Sequence, residues 1–251
     1  MEEDINYWDN SKYAPCQYAT RLLDKLRKMN EEVNRSIDID EVRKAIYYAK
    51  KYHGSQMRQS GEPYYSHPIE VAYMISDYLF RTDIIITSIL HDTIEDTTLT
   101  AKMIAYIFGE QVASQVEDLS RNKPHGKISS AETLDILLQQ EKYDVALIKL
   151  FDRVHNLQTL GVKSPEKARK IIEETVKNFI IIAMHLKIPT ITQDLTALCY
   201  KNLSIQQFDQ HNHQNSMDNS PPLSPTFQNV IAPQLLKVKN YNILQPKITH
   251  K

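Results

Sequence analysis

The chain has 251 residues, 41% hydrophobic and 24% charged, which suits one large globular domain or two small ones. Thirty Lys+Arg against 31 Asp+Glu leave a net charge of -1, so the basic footprint of a general nucleic-acid binder is missing. Two cysteines, Cys16 and Cys199, exclude a disulfide framework and point to a reducing compartment.

Residues 1–35 read as an N-terminal lead-in with a helix over Thr20–Glu32. The opening Met-Glu-Glu-Asp has no apolar stretch of the signal-peptide kind. From Asp38 the apolar residues Ile39, Val42, Ile46 and Ala49 recur at helical spacing, and His53-Gly54 supplies a stop. A polar loop, Ser55–Tyr64, leads to Ser66-His67-Pro68, where proline suits the start of a helix expected to reach about Leu79. Asp83–Leu90 is apolar on nearly every side and predicts a buried central helix running into His91-Asp92-Thr93-Ile94-Glu95-Asp96. Short helices follow, one of them Thr100–Phe108 closed by Gly109, then a polar loop over Arg121–Lys127. Ser130–Gln140 and Asp144–Leu160 predict two more helices, the second closed by Gly161. Ser164-Pro165 opens a long helix to about His185, and Thr192–Asn202 forms the last. Residues 204–251 hold five of the eleven prolines, many Gln and Asn and no glycine, the composition of a disordered tail. The longest apolar runs, such as Phe179–Met184, are too short to span a bilayer. The expectation is a soluble cytoplasmic protein without membrane or nucleic-acid partners: an all-α, compact helical domain over about 36–203, with a disordered C-terminal tail.

Glycine is scarce. The five glycines form neither GxGxxG nor GxxxxGK, so any phosphate must be handled by side chains or metal ions. His91, Asp92, Glu95 and Asp96 offer the means. On a helix His91 lies over Glu95 and Asp92 over Asp96, crowding one imidazole and three carboxyls at the end of the most apolar segment. Such carboxylates resist leaving water unless a cation compensates them. The plainer reading ends an apolar helix in solvent there, but it leaves the other acidic and histidine candidates unexplained. Asp152, Asn156 and Thr159 make a polar stripe on an apolar helix, and Lys149 could pair with Asp152 at i, i+3. His67 or His53 could complete a set with His91, Asp92 and Asp152; spacing does not choose between them. Two imidazoles with two carboxylates suit Mn, Fe, Co or Zn better than Ca or Mg.

These residues carry a family resemblance. A separated His, a His-Asp doublet and a later Asp resemble the HD-domain metal phosphohydrolases, most closely the hydrolase domain of RelA/SpoT-type alarmone enzymes. Arg58-Gln59-Ser60-Gly61-Glu62-Pro63-Tyr64 with Ser66-His67-Pro68, Leu90–Thr97, and Lys149–Leu157 are similar to three ordered motifs of that branch, over roughly residues 38–200. The resemblance implies an HD-domain helical bundle in which His67, His91, Asp92 and Asp152 hold one divalent ion, Mn²⁺. It implies that Glu95 and Asp96 position and activate water, and that Arg58, Asn156 and Thr159 contact a guanosine (p)ppGpp substrate. His53 and His155 then fall to packing. Gln59 departs from a position that is often basic in the family. The implied protein is a hydrolase-only enzyme that removes the 3′-pyrophosphate of (p)ppGpp. The competing expectations are an HD phosphohydrolase for another nucleotide and a non-catalytic alarmone-binding remnant.

Overall fold

The computed structural model describes Trp8, residues 13–32 and residues 36–213, with side chains to position 204. Of the tail expected over 204–251, residues 204–213 are helical rather than disordered; the rest of it and most of the residues before α1 lie outside that description. Helices dominate as expected: among the described residues the only sheet is one two-residue antiparallel pair. The chain divides into two units, residues 1–152 and 153–251.

The first unit contains α1 (Gln17–Glu32), α2 (Ile39–His53), α3 (Ser66–Ile75), α4 (Thr82–Leu90), α5 (Thr93–Asp96), α6 (Ala101–Phe108), α7 (Glu110–Leu119), the hairpin β1 (Asn122–Lys123) and β2 (Gly126–Lys127), and α8 (Ser130–Gln139). Its helix ends follow local chemistry. The Asp38 carboxylate accepts from the backbone N–H groups of Asp40 and Glu41 and starts α2. Gly54, at φ 53°, closes the same helix. Ser129 and Glu132 form a reciprocal capping box at α8.

Helix α4 is the hub of this unit and packs on α2, α3 and α7. Every residue from Ile84 to Leu90 is buried, as an all-round apolar helix requires. Burying a side chain of this size stabilises by about 2 kcal/mol, so Ile84, Ile85, Ile89 and Leu90 fix the axis that delivers His91. Helix α3 is shorter than expected, ending at Ile75, where the Ser76 N–H bonds to the Ala72 carbonyl.

Helix α9 (Tyr143–Gln158) begins in the first unit and continues into the second. There Gly161 sits inside a short 3-10 turn, Leu160–Val162, rather than simply ending a helix. The long helix expected from Pro165 to His185 exists as α10 (Pro165–Glu174) and α11 (Ile180–His185), joined by a π-helical turn over Thr175–Phe179. Ser164 precedes it without a side-chain capping bond. Helix α12 (Pro189–His213) runs well past the expected end at Asn202, and it packs on α10, α11 and the π-turn. Phe179, Ile172, Leu195 and Cys199 are buried in this unit.

Candidate metal centre

Three elements of the first unit deliver the ligand candidates. His67 lies in the first turn of α3, where Pro68 follows without needing an N–H partner. His91 closes α4, and Asp152 sits on α9. His67, His91 and Asp152 are all buried, and each offers a ligand atom within 4.8 Å of the others'. His67 Nε2 stands 3.1 Å from Asp152 Oδ1, close to the roughly 3 Å between neighbouring ligands on octahedral bonds of about 2.1 Å. Asp92 borders both imidazoles, with Oδ1 3.1 Å from His91 Nε2 and Oδ2 3.6 Å from His67 Nε2.

The donor set fits a cation. His91 Nδ1 donates to the Ser88 carbonyl at 2.8 Å, which orients the ring and leaves Nε2 as the atom available to a ligand. That Nε2 is buried, forms no hydrogen bond, and faces carboxylate oxygens of Asp92 and Asp152. A buried imidazole nitrogen that forms no hydrogen bond beside carboxylate oxygens is costly; a divalent ion removes the conflict. Burial holds the His67 pKa below the ordinary imidazole value, against the hydrogen bond to Asp152, and so favours the neutral ligand form. Burial alone would raise the Asp152 pKa. The Lys149 ammonium and the His67 hydrogen bond outweigh it and keep the group well below the ordinary carboxylate range. Lys149 is itself buried and stands 3.5 Å from Oδ2, while Oδ1 faces the imidazoles. The ion pair and the metal reading of Asp152 therefore coexist, one on each oxygen.

His53 is elsewhere. Its Nδ1 lies 2.9 Å from the Gln56 amide oxygen and its ring stacks on Tyr64 at 4.8 Å between centroids. His155 is buried, as a packing role requires.

The four residues His91, Asp92, Glu95 and Asp96 do not share one helical face, which corrects the expectation of a single crowded patch. Helix α4 stops at Leu90, where the Thr93 hydroxyl takes the carbonyl at 2.6 Å, and α5 starts at Thr93. The break sends the last two carboxylates to different partners. Glu95, its side chain 3% exposed, receives Arg121 through the backbone N–H at 2.8 Å and through Nε and Nη2 at 3.1 and 2.9 Å, with Lys127 Nζ at 3.2 Å. Burial would raise its pKa, but the Arg121 hydrogen bonds prevail and lower it. Asp96 is exposed and accepts the Tyr64 hydroxyl at 2.6 Å, while Gln56 holds its backbone carbonyl at 2.9 Å. Burial and the neighbouring Asp92 push the Tyr64 phenol far above its ordinary value, so it stays a proton donor in that bond.

The Ser55–Tyr64 loop is closed on itself. Tyr64 N–H bonds to the Gln56 carbonyl, Arg58 N–H to the Glu62 carbonyl, and Gly61 turns at φ 86°. Arg58 is half-buried on this loop and Gln59 is exposed. Asn156 and Thr159, both half-buried, belong to the second unit. The Thr159 hydroxyl donates long bonds to the His155 and Asn156 carbonyls, 3.4 and 3.5 Å. Arg121 escaped the sequence reading because it opens what looked like a polar loop. The available signal was the density of basic residues around Gly126.

Residues 45–188 match the HD domain family model, and the chain belongs to that family. Among its relatives is the GTP pyrophosphokinase rsh of Brucella ovis, 36% identical over 189 residues, which cover 73% of this chain and 25% of that protein. The guanosine-3′,5′-bis(diphosphate) 3′-pyrophosphohydrolase of Aquifex aeolicus is 36% identical over 173 residues, 68% of this chain and 25% of its own length. The bifunctional (p)ppGpp synthase/hydrolase SpoT of Escherichia coli is 32% identical over 189 residues, 72% of this chain and 27% of its own. The chain thus spans about a quarter of the length of the relatives it matches. A solved structure described as a metazoan ortholog of SpoT that hydrolyzes ppGpp aligns with TM-score 0.53 and 20% identity, over 64% of this chain and 94% of that one, a likeness of fold. No helix among the described residues is long and apolar enough to cross a membrane.

Proposed function

We propose that this chain is a cytoplasmic metal-dependent hydrolase of (p)ppGpp, releasing the 3′-diphosphate as pyrophosphate and leaving GDP or GTP. The observation that carries the reading is the buried His91 Nε2, without a hydrogen-bond donor and turned toward two carboxylates, in a chain of the HD domain family with RelA/SpoT-type relatives. His67, His91, Asp92 and Asp152 would hold the ion, with Mn²⁺ the expected occupant. When bound there, a divalent ion lowers the pKa of water and offsets phosphoryl charge.

The protein's own groups supply the rest. Asp96 is the proton acceptor: it is exposed, and Tyr64 fixes one of its oxygens. Glu95 is a poorer base, because Arg121 occupies both of its oxygens. The water oxygen bonds to the phosphorus carried by ribose O3′, and the P–O3′ bond breaks. Its electron pair goes to O3′, which takes a proton. Arg58 is assigned to the guanine, and Asn156 and Thr159 to the nucleoside, on the strength of their motifs.

Purified chain incubated with ppGpp and Mn²⁺ should release GDP and pyrophosphate in equal amounts. A chelator, or Asp96→Asn, should abolish release, and the latter should leave Mn²⁺ binding intact. Manganese bound with no release from ppGpp, but release from another nucleotide in the same panel, would sink the substrate assignment.

A further inference from the structure

The hairpin 121–128 is out of place in a helical protein, and its contacts suggest why it is kept. The Ile128 N–H closes it on the Arg121 carbonyl at 3.0 Å, so Arg121 and Lys127 flank its base. Both converge on Glu95. Lys123 is used otherwise, capping the last carbonyls of α7 through Glu117 and Asp118. One cation suffices to compensate a buried carboxylate; here there are two. Glu95 with Arg121 and Lys127 carries a net charge of +1, and the side chains of the two cations stay 37% and 53% exposed. The anchor Glu95 follows the metal candidate Asp92 by three residues, and the charges of Asp92 and Asp152 act on Arg121.

We infer that Arg121 and Lys127, anchored by Glu95, form an oxyanion subsite that receives the phosphate groups of the substrate or released pyrophosphate. This rests on the (p)ppGpp reading for its ligand, but its chemistry stands alone. The planar guanidinium uses Nε and Nη2 on Glu95, which fixes its plane while its outer edge faces outward to phosphate oxygens. Lys127 adds a mobile point charge. Glu95 on this account is an anchor for the cations, which explains why a carboxylate adjacent to Asp96 is neutralised twice.

The test is calorimetric titration of inorganic pyrophosphate into the metal-free 251-residue chain, so that chelation of Mn²⁺ does not intrude. Wild type should bind. Arg121→Gln should weaken binding about tenfold or more, the worth of one charge-assisted hydrogen bond. Lys127→Ala, at a half-exposed side chain that the fold does not need, should weaken it several-fold and keep the melting temperature. Lys170→Ala, at an exposed ion pair of α10, should bind as wild type does. Unchanged pyrophosphate affinity in Lys127→Ala and in folded Arg121→Gln overturns the subsite, as does absence of binding by wild type. Turnover of ppGpp by the same variants after Mn²⁺ is restored separates the two readings. Pyrophosphate binding that depends on Arg121 and Lys127, without alarmone turnover, keeps the subsite and removes the substrate. Turnover with no such dependence does the reverse.

Discussion

Asp152 and Arg153 are consecutive residues on one helix, yet the polar clusters they enter are built on opposite rules. Around Arg153 every demand is met. Its Nη2 donates to Glu174 at 2.6 Å, its Nη1 lies 3.4 Å from both the Thr175 hydroxyl and the Ile171 carbonyl, and its guanidinium stacks 4.0 Å over Phe179. These partners surround the π-turn, where the helical hydrogen-bond ladder is shifted and its carbonyls need help. Around Asp152 the polar atoms are mostly acceptors. His91 Nε2 has no donor, and two carboxylates approach the same imidazoles. A closed account marks structure; an open one marks a place for something else.

The largest expected effect lies on the open side. His91→Ala or Asp152→Asn should lower Mn²⁺ affinity by about a hundredfold or more and turnover by about a thousandfold, since each removes a direct ligand. Equilibrium dialysis with Mn²⁺ checks the first and product release the second. Retained metal affinity in both variants would erase the contrast. On the closed side, Arg153→Met should leave Mn²⁺ affinity of the folded protein unchanged while destabilising it by about 2–3 kcal/mol, through loss of a buried ion pair and ring contact. Urea unfolding measures this. A loss of metal with normal stability would show that Arg153 serves the site rather than the π-turn.

The sequence carried most of this because apolar periodicity and ligand chemistry are local. An apolar helix ending in His-Asp is legible, and so is a histidine before proline; the structure then brings His67, not His53, to the cluster. What was not legible depends on distant partners. Continuing the helix through His91 placed Glu95 and Asp96 on the same face as the doublet, whereas a Thr93 hydroxyl takes the Leu90 carbonyl and the run breaks there. Arg121 gains its meaning only when the hairpin meets α5. The π-turn has neither glycine nor proline to announce it; Arg153 and Thr175 support it from the side. The last helix was expected to end at Asn202, whereas α12 runs on to His213.

The smallest effect concerns a second closed cluster, at the start of α4. Asp83 is bound by Arg81 through Nε at 3.1 Å and Nη2 at 2.6 Å, and by the Gln111 and Gln115 amides at 2.9 and 3.0 Å. Burial would raise its pKa, but hydrogen bonds from Arg81 and Gln115 win and lower it. A carboxyl depressed in the folded state adds stability above its ordinary value of 3.8, and that share fades as pH falls through the lower folded value. Thermal melts of the metal-free protein should therefore show Arg81→Gln less stable than wild type at neutral pH by a few degrees, a gap that narrows below about pH 4 as both proteins protonate Asp83. The metal centre is not involved, so adding Mn²⁺ should raise both melting curves without changing that gap. A gap that stays constant down to strong acid would mean that Arg81 acts through packing rather than through its ion pairs with Asp83 and Asp144.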